Sequence, residues 1–122
     1  MDSFLLTLHR PFVADHFHDL PGFVEARHGH NWEIAATVRW TDSPAGTAAH
    51  QAEAAFAASL DAWVAEVDYT LLNEQPPLAG RNPTAEALAA WAYLHLDTDG
   101  LNPECVRIRE KANYWAGCRS VA

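Results

Sequence analysis

The stretch "HGHNWEIAATVRW", His28 to Trp40, decides the fold class of this 122-residue chain. Apolar and polar residues alternate along it, which is the period of an extended strand with one buried face. His28 and His30 have the parity of the apolar residues, so both rings are expected on the buried face. That face carries Trp32, Ile34, Ala36, Val38 and Trp40, and the opposite face carries Asn31, Glu33, Thr37 and Arg39. Two imidazoles that point the same way are suited to hold one metal ion.

A third ligand is predicted in the preceding segment, "FLLTLHRPFVADHFH", residues 4–18. It reads as a strand in which Pro11 marks a break, a bulge or an edge position. His16 has the parity of Phe12 and Ala14, so it is expected on the buried face beside His28 and His30. Three neutral imidazoles leave a tetrahedral zinc ion with one open position, the pattern of a catalytic site.

The other histidines have lower rank as ligands. His18 is the reserve ligand if the first strand is out of register. For His9, His50 and His95 we expect ordinary structural roles, because a chain with seven histidines will bring some of them together by chance.

Two helices are predicted in the middle of the chain. Residues 47–67 carry an apolar stripe at helical spacing, formed by Phe56, Leu60, Trp63 and Val67. A second helix is predicted in "NPTAEALAAWAYLHL", residues 82–96. Its start is assigned to Asn82 as the cap, Pro83 as the first helical residue and Glu86 in the first turn.

Two strands are predicted after the helices. In "CVRIREK", residues 105–111, Val106, Ile108 and Glu110 share one face, and Arg107 and Arg109 share the other. The last strand is "NYWAGCRSV", while "LPGF", "TDSPAG" and "NEQPPLAGRNP" are predicted as loops or turns. The order strand, strand, helix, helix, strand, strand predicts one α+β domain over residues 1–122. Its four-stranded antiparallel sheet would be covered by two helices on one face.

Composition limits the function classes. The formal net charge is −8 and no basic stripe is visible, so nucleic acid is not expected as a partner. An anion site would need a local cluster drawn from Arg10, Arg27, Arg107, Arg109, Lys111 and Arg119. No apolar run reaches the length of roughly 18 residues that a membrane span needs. The N-terminus lacks a secretion leader, and Cys105 and Cys118 are too few for a disulfide framework, so we expect a cytoplasmic protein with reduced thiols.

Five motifs, "FVADHFH", "HGHNW", "VDYTLLN", "NPTAEALAAW" and "VRIREK", together resemble the 6-pyruvoyl-tetrahydropterin synthase and 6-carboxy-tetrahydropterin synthase family. The resemblance covers nearly the whole chain, with the motifs in the family's order. It implies the tunnelling fold, in which subunits join their sheets into a barrel, commonly as a hexamer of two stacked trimers. It also implies zinc held by three histidines, here His16, His28 and His30.

The resemblance implies a substrate and its anchor. The family acts on 7,8-dihydroneopterin triphosphate, and a glutamate that holds the pterin ring corresponds to Glu110. A carboxylate on an apolar strand face needs partners, and a pterin offers adjacent N–H donors. The alternative for Glu110 is an ion pair with Lys111 or an arginine. Thr84 matches a threonine that the family places near the substrate, but a role in helix initiation explains it equally well.

The sequence departs from the family at the proton-transfer residues. Usual members carry a cysteine four residues before the first histidine of His-Gly-His, where this chain has Val24. Asp68 is kept, but Tyr69 stands where the family has a histidine. Glu25 lies beside the missing cysteine, and this pattern is similar to a variant branch that cleaves the substrate side chain to 6-hydroxymethyl-7,8-dihydropterin, a folate precursor.

The predicted function is therefore a zinc-dependent pterin lyase with Glu25 as the base. Phe23 and Val24 are expected to dry the site and raise the pKa of Glu25. Asp68 and Tyr69 are further candidates for proton transfer. Two other functions stay open: 6-carboxy- or 6-pyruvoyl-tetrahydropterin synthesis for the queuosine or biopterin branch, and a non-catalytic protein that binds pterin or metal. The alternative for Glu25 itself is a solvated loop acid paired with Arg27.

Overall fold

The first and fourth strands are the longest in the sheet and form its central pair. The structure is a computed structural model that describes residues 2–42 and 48–119. β1 (Asp2–His16) and β4 (His28–Asp42) are antiparallel and pair along their whole length, from Asp2 with Asp42 to His16 with His28. The register has no shift, so Pro11 is not at a bulge. Among the described residues, the other side of β1 has no strand partner at Pro11, which makes this the edge position that a proline tolerates.

The predicted α+β class is confirmed, but the sheet has five strands rather than four. Their order is β5-β1-β4-β6-β7, with β5 at Thr70–Leu71, β6 at Pro103–Lys111 and β7 at Tyr114–Arg119. β5 runs parallel to β1 and pairs only with Ala14 and Asp15, so the sheet is mixed. A two-residue strand has too little sequence for an alternating pattern, which is why the sequence did not predict it.

Another correction concerns the "LPGF" segment, which was predicted as a loop. Asp19–Leu20 (β2) and Phe23–Val24 (β3) form a small antiparallel hairpin around it. Gly22 has a φ of 78°, the left-handed conformation that glycine adopts without strain.

Two helices cover one face of the sheet. α1 spans Ala48–Val67 and α2 spans Ala85–Thr98, and two short 3-10 turns lie between them at Leu72–Glu74 and Pro76–Leu78. The predicted stripe of α1, Phe56, Leu60, Trp63 and Val67, is fully buried. Trp63 meets the Phe12 ring edge-on at 5.6 Å, which locks α1 onto β1. Among the described residues, no helix is long and apolar enough to cross a membrane.

The start of α2 differs from the sequence prediction. Thr84, not Asn82, is the N-cap: its side chain accepts a hydrogen bond from the Ala87 N–H at 3.1 Å. Pro83 therefore precedes the helix, and the Asn82 side chain is free to bind elsewhere. Glu86 lies in the first turn, as predicted.

Some predicted features lie outside the described residues. They are residues 43–46 of the "TDSPAG" turn, residue 47 at the predicted start of the first helix, and the side chain of His50.

Candidate metal and substrate site

Three imidazoles meet where β1 ends and β4 begins. The structure brings His16, His28 and His30 together, and one ligand atom from each lies within 4.8 Å of the other two. Their ring centroids are 4.6 to 5.0 Å apart. The pairing of His16 with His28 in the β1–β4 register produces this convergence, because both strands turn the same parity to the core.

Backbone carbonyls orient two of the rings. The Nδ1 of His16 lies 2.8 Å from the Pro83 oxygen, and the Nδ1 of His28 lies 2.9 Å from the Ala26 oxygen. A neutral imidazole that donates from Nδ1 has its lone pair on Nε2, the usual arrangement for a metal ligand. Both rings therefore present Nε2 as the free ligand atom.

Unsatisfied nitrogens indicate that the cluster suits a metal ion. The Nε2 atoms of His16 and His30 are buried and have no hydrogen-bond partner among the described residues. A buried polar atom without a partner is costly, and a metal ion would satisfy both nitrogens at once. Burial also lowers the pKa of His30, which favours the neutral, ligating form. The three residues can thus hold a metal.

Trp32 forms the floor of the cluster. Its ring lies edge-on to His16 and His30, with centroid distances of 5.1 and 5.4 Å. The indole N–H donates to the Ala14 oxygen at 3.0 Å, which fixes the ring between the two strands. The histidines therefore rest on a rigid apolar surface.

The glycine between the two histidines has a steric reason. Gly29 pairs with Asp15, and a Cβ on Gly29 would lie 2.6 Å from Asp15 Oδ1. The other oxygen of Asp15 accepts a hydrogen bond from Arg27 at 2.8 Å, so a side chain at position 29 would have to displace this ion pair. Glycine at this position lets the two histidine-bearing segments approach.

Two asparagines that the sequence analysis did not select as site residues hold the chain after His16. Asn73 accepts from the Phe17 N–H at 3.0 Å and donates to the Phe17 oxygen at 2.9 Å. Asn82 makes the same pair of contacts with Asp19, at 2.7 and 3.3 Å. Both asparagines come from the segment predicted as a loop, and no periodic signal in the sequence marks them.

Glu25 lies next to the cluster, on the Nδ1 side of the His28 ring. Its Oε1 lies 3.7 Å from His28 Nδ1 and 3.6 Å from His18 Nδ1, and it accepts a hydrogen bond from the His18 N–H at 3.1 Å. Arg27 pairs with Asp15 rather than with Glu25.

The expected rise in the pKa of Glu25 is wrong. Phe23 and Val24 do not dry the site in this chain, because the two residues are 61% and 62% exposed. Partial burial by itself raises the pKa of Glu25, but the hydrogen bond from His18 and the positive charge of nearby histidines lower it overall. Glu25 is therefore a carboxylate at neutral pH.

Asp68 and Tyr69 lie at the edge of the sheet. Asp68 Oδ1 accepts a hydrogen bond from the Val13 N–H at 2.9 Å, and the Tyr69 N–H donates to the Val13 oxygen. Val13 alternates with Ala14 and so points away from the histidine face. Tyr69 is 83% exposed and has a φ of 57°. Within the described part of this chain, no hydrogen bond or ion pair joins either side chain to the three histidines.

Glu110 lies directly against the cluster. Its Oε1 is 3.1 Å from His16 Nε2 and 3.3 Å from His30 Nε2, and the side chain is only 18% exposed. The predicted sharing of a face with Val106 and Ile108 brings it there, since both of those residues are fully buried. The alternative of an ion pair with a neighbouring cation is not what the structure has. Thr84 has the helix-capping role described above.

The other histidines have separate surroundings. His18 is not part of the group of three, although its ring centroid is 5.2 Å from that of His16. His9 contacts Glu33 at 2.7 Å, and His95 contacts the Ser59 oxygen at 2.9 Å. These contacts agree with the structural roles expected for His9 and His95.

Three cations of the predicted anion-binding set, Arg10, Arg27 and Arg109, pair with carboxylates in the described part of the chain. Arg10 pairs with Asp61, and Arg27 pairs with Asp15. Arg109 donates twice to Glu33 Oε2 on the helix-free face of the sheet. Each of these cations already neutralises a carboxylate.

Comparisons with known proteins agree with this fold. The family model for 6-pyruvoyl tetrahydropterin synthase matches residues 6–120. No curated protein sequence matches the chain. Among solved structures, the 6-pyruvoyl tetrahydropterin synthase of Caenorhabditis elegans is 16% identical, with a TM-score of 0.82, and the alignment covers 99% of this chain and 98% of that one. The Plasmodium vivax synthase is 12% identical, with a TM-score of 0.76 and coverage of 98% and 99%.

At such low identities the structural matches establish only the shared fold. The family model is the stronger finding, because it spans nearly the whole sequence, including the His-Gly-His strand and Glu110. The chain therefore belongs to the 6-pyruvoyl tetrahydropterin synthase family.

Proposed function

We propose that this protein is a zinc-dependent lyase that cleaves the side chain of 7,8-dihydroneopterin triphosphate to give 6-hydroxymethyl-7,8-dihydropterin, a folate precursor. The observation that carries this proposal is the position of Glu25. Its carboxylate lies against His28 and His18, while the side chain of Val24, where the family has its cysteine, is exposed. The carboxylate is thus the available base on this segment.

His16, His28 and His30 would hold the zinc ion. Zinc bound there would supply Lewis-acid polarisation of the oxygens of the substrate side chain. The three nitrogens suit zinc because imidazole is one of its usual ligands and because the rings are fixed by backbone carbonyls and by Trp32.

Glu25 would take the proton in the bond-breaking step. Its lowered pKa keeps it ionised at neutral pH, so it can accept the proton of a side-chain hydroxyl. The electron pair left on that oxygen forms a carbonyl, and the adjacent carbon–carbon bond breaks in a retro-aldol sense. The electrons of that bond pass to the pterin fragment, which then takes up a proton.

Glu110 would anchor the pterin ring. A carboxylate accepts two parallel hydrogen bonds from adjacent N–H groups, and the strand face around Glu110 is apolar and buried. Thr84 lies at the start of α2, and any contact with substrate would come in addition to its capping bond. Asp68 and Tyr69 are the next candidates for proton transfer if Glu25 is not the base.

A relative supports glutamate as a catalytic group in this fold. The Plasmodium vivax synthase has also been solved with a glutamate, described as a catalytic residue, replaced by alanine or by cysteine. That protein is 12% identical to this one, so the support concerns the type of residue and not its position.

A second candidate reaction follows from the family description, which is 6-pyruvoyl tetrahydropterin synthesis. It keeps the side-chain carbons and removes the triphosphate, as a carbon–oxygen lyase would. The absence of the usual cysteine at Val24 and of the usual histidine at Tyr69 weighs against it and against 6-carboxy-tetrahydropterin synthesis.

Product analysis tests the proposal. Purified zinc-loaded protein is incubated with 7,8-dihydroneopterin triphosphate and, separately, with 7,8-dihydroneopterin, and products are identified by chromatography and mass. The expected product is 6-hydroxymethyl-7,8-dihydropterin. Formation of 6-pyruvoyl- or 6-carboxy-tetrahydropterin would refute the proposed reaction and would show that the protein is a tetrahydropterin synthase. If neither substrate is turned over, the enzyme proposal fails and a non-catalytic pterin-binding role takes its place.

We also propose that the protein is a homo-oligomer in the cytoplasm, with the hexameric state that the family resemblance implies. β7 is the last strand on one side of the sheet, and on the other side β5 covers only two residues of β1. Unpaired strand edges favour association, and Leu5 on β1 is largely exposed. Light scattering should give six times the monomer mass at micromolar concentration, and a monomer would contradict the joined-sheet arrangement.

A further inference from the structure

The position of Glu110 raises a question that pterin binding alone does not answer. A residue that only anchors a substrate ring would not need to contact the metal-binding nitrogens. Glu110 Oε1 nevertheless lies 3.1 Å from His16 Nε2 and 3.3 Å from His30 Nε2. Both of these nitrogens are buried and have no hydrogen-bond partner in the described part of the chain.

The contacts are close but are not hydrogen bonds. His16 directs its Nδ1 at the Pro83 oxygen, so in the neutral ring Nε2 carries a lone pair. At 3.1 Å, this lone pair and the carboxylate oxygen of Glu110 repel each other unless a positive charge lies between them. A proton on Nε2 would form an aligned hydrogen bond, and neither His16 nor His30 makes one there. A shared cation explains the closeness better.

The spacing also fits a common metal. When ligands lie about 2.0–2.1 Å from a tetrahedral zinc ion, neighbouring ligand atoms are about 3.3 Å apart. The two distances from Glu110 to the histidine nitrogens are close to this value. The carboxylate therefore lies where the fourth ligand of a zinc ion held by the three histidines would lie.

We propose that Glu110 is the fourth metal ligand in the substrate-free protein and that a pterin ring draws the carboxylate off the metal when it binds. The first half stands on the geometry of this chain, and the second half rests on the proposed function. Pterin N–H donors and the metal would then compete for one carboxylate. Binding of the ring would open the coordination position only when substrate is present.

A metal-binding experiment tests the first half without any turnover. Metal-free protein in its native assembly is titrated with Co²⁺ against a competing chelator, and visible absorption reports the ligand geometry. Glu110→Gln keeps the size of the side chain but removes its charge. We expect its affinity for Co²⁺ to fall by at least roughly 10–100-fold, the range seen when even outer-shell partners are lost, and its spectrum to change. Glu33→Gln, on the opposite face of the same sheet, should bind like the parent.

Two results would overturn the proposal. One is a Glu110→Gln variant with parental affinity and spectrum. The other is a crystal structure of the zinc-loaded, substrate-free parent in which water takes the fourth position and Glu110 lies beyond coordination distance. That structure needs no variant, so it decides the matter even if Glu110→Gln fails to fold, and the expected oxygen–zinc distance is about 2.0–2.2 Å.

The second half has its own measurement. Addition of 7,8-dihydroneopterin to the Co²⁺-loaded parent should change the visible spectrum, whereas the same addition to Glu110→Gln should change it much less. An unchanged parental spectrum at saturating pterin would refute the exchange. If Glu110 binds the metal but no substrate turns over, the proposed reaction fails and the fourth-ligand assignment stands.

Discussion

The two ends of the candidate site are built differently. The metal end consists of His16, His28 and His30, which lie on two long strands paired without interruption. The proton-transfer end consists of Glu25, which follows a two-residue strand, and of Asp68 and Tyr69, which lie at the end of a helix and the edge of the sheet. The first end is preorganised by the sheet, and the second depends on short segments.

This difference separates binding from chemistry. Strand side chains alternate, so a cluster on neighbouring strands keeps its geometry as long as the register holds. The hairpin before Glu25 has exposed apolar side chains and is held to the rest of the protein through the contacts of Asn82 with Asp19. We therefore expect metal binding to tolerate changes that turnover does not.

The largest effect is expected at the metal end. His28→Ala or His30→Ala removes one of the three imidazole ligands and should abolish zinc binding. Both rings lie at the rim of the cluster and not in the apolar core, so the fold and the oligomer should survive. Zinc content after dialysis and light scattering together check this prediction.

His9→Ala is the matched control for these variants. Its ring lies on β1 but contacts Glu33, away from the cluster. It should keep full zinc content. Full zinc content in His28→Ala would show that the three imidazoles do not act as one site.

The next effect concerns the proton-transfer end. Glu25→Gln keeps the shape of the side chain but cannot accept a proton, so turnover should fall by roughly 10²–10⁴ with little change in zinc content. The turnover number and zinc content of the same preparation are the required measurements. Glu53→Gln, on the exposed surface of α1, is the control and should match the parent. Unchanged turnover in Glu25→Gln would shift attention to Asp68 or Tyr69.

The smallest effect is expected for a substitution on the face of β4 opposite the histidines. Glu33 lies opposite the histidine face, and hydrogen bonds from His9 and Arg109 lower its pKa from the ordinary value of 4.5. A lowered pKa contributes stability that is present above about pH 4.5 and is lost as the pH falls through the folded-state pKa. Exposed pairs of this kind contribute about 0.2–1 kcal/mol.

Urea unfolding of the parent and of Glu33→Gln at several pH values measures that contribution. The difference in the free energy of unfolding should be present at pH 7 and should shrink below about pH 4.5. Zinc affinity at pH 7 should be equal in the two proteins. A difference that grows as the pH falls would contradict the assigned sign.

Regular alternation explains what the sequence could predict. The apolar parity of β4 and of β1 located His16, His28 and His30, and the same rule on β6 located Glu110 beside Ile108. The apolar stripe of α1 could likewise be predicted from its helical spacing. In each case the signal repeats over many residues, so a single exception does not hide it.

The remaining features depend on contacts between distant segments. Asn82 looked like a helix cap, but its amide binds Asp19, and Thr84 caps the helix instead. β5 and the β2–β3 hairpin are too short to show a period. The pKa of Glu25 was predicted in the wrong direction because it depends on the His18 backbone and on exposure, neither of which a local pattern reveals.

The zinc dependence of the reaction is the measurement that bears most directly on the proposed lyase activity. Parent protein is stripped of metal, divided, and one half is reloaded with zinc, and both halves are then given 7,8-dihydroneopterin triphosphate. We expect 6-hydroxymethyl-7,8-dihydropterin from the reloaded half and no turnover in the stripped half. Equal turnover in the two halves, or none in the reloaded half, would contradict the claim that this histidine cluster carries a metal-dependent pterin lyase.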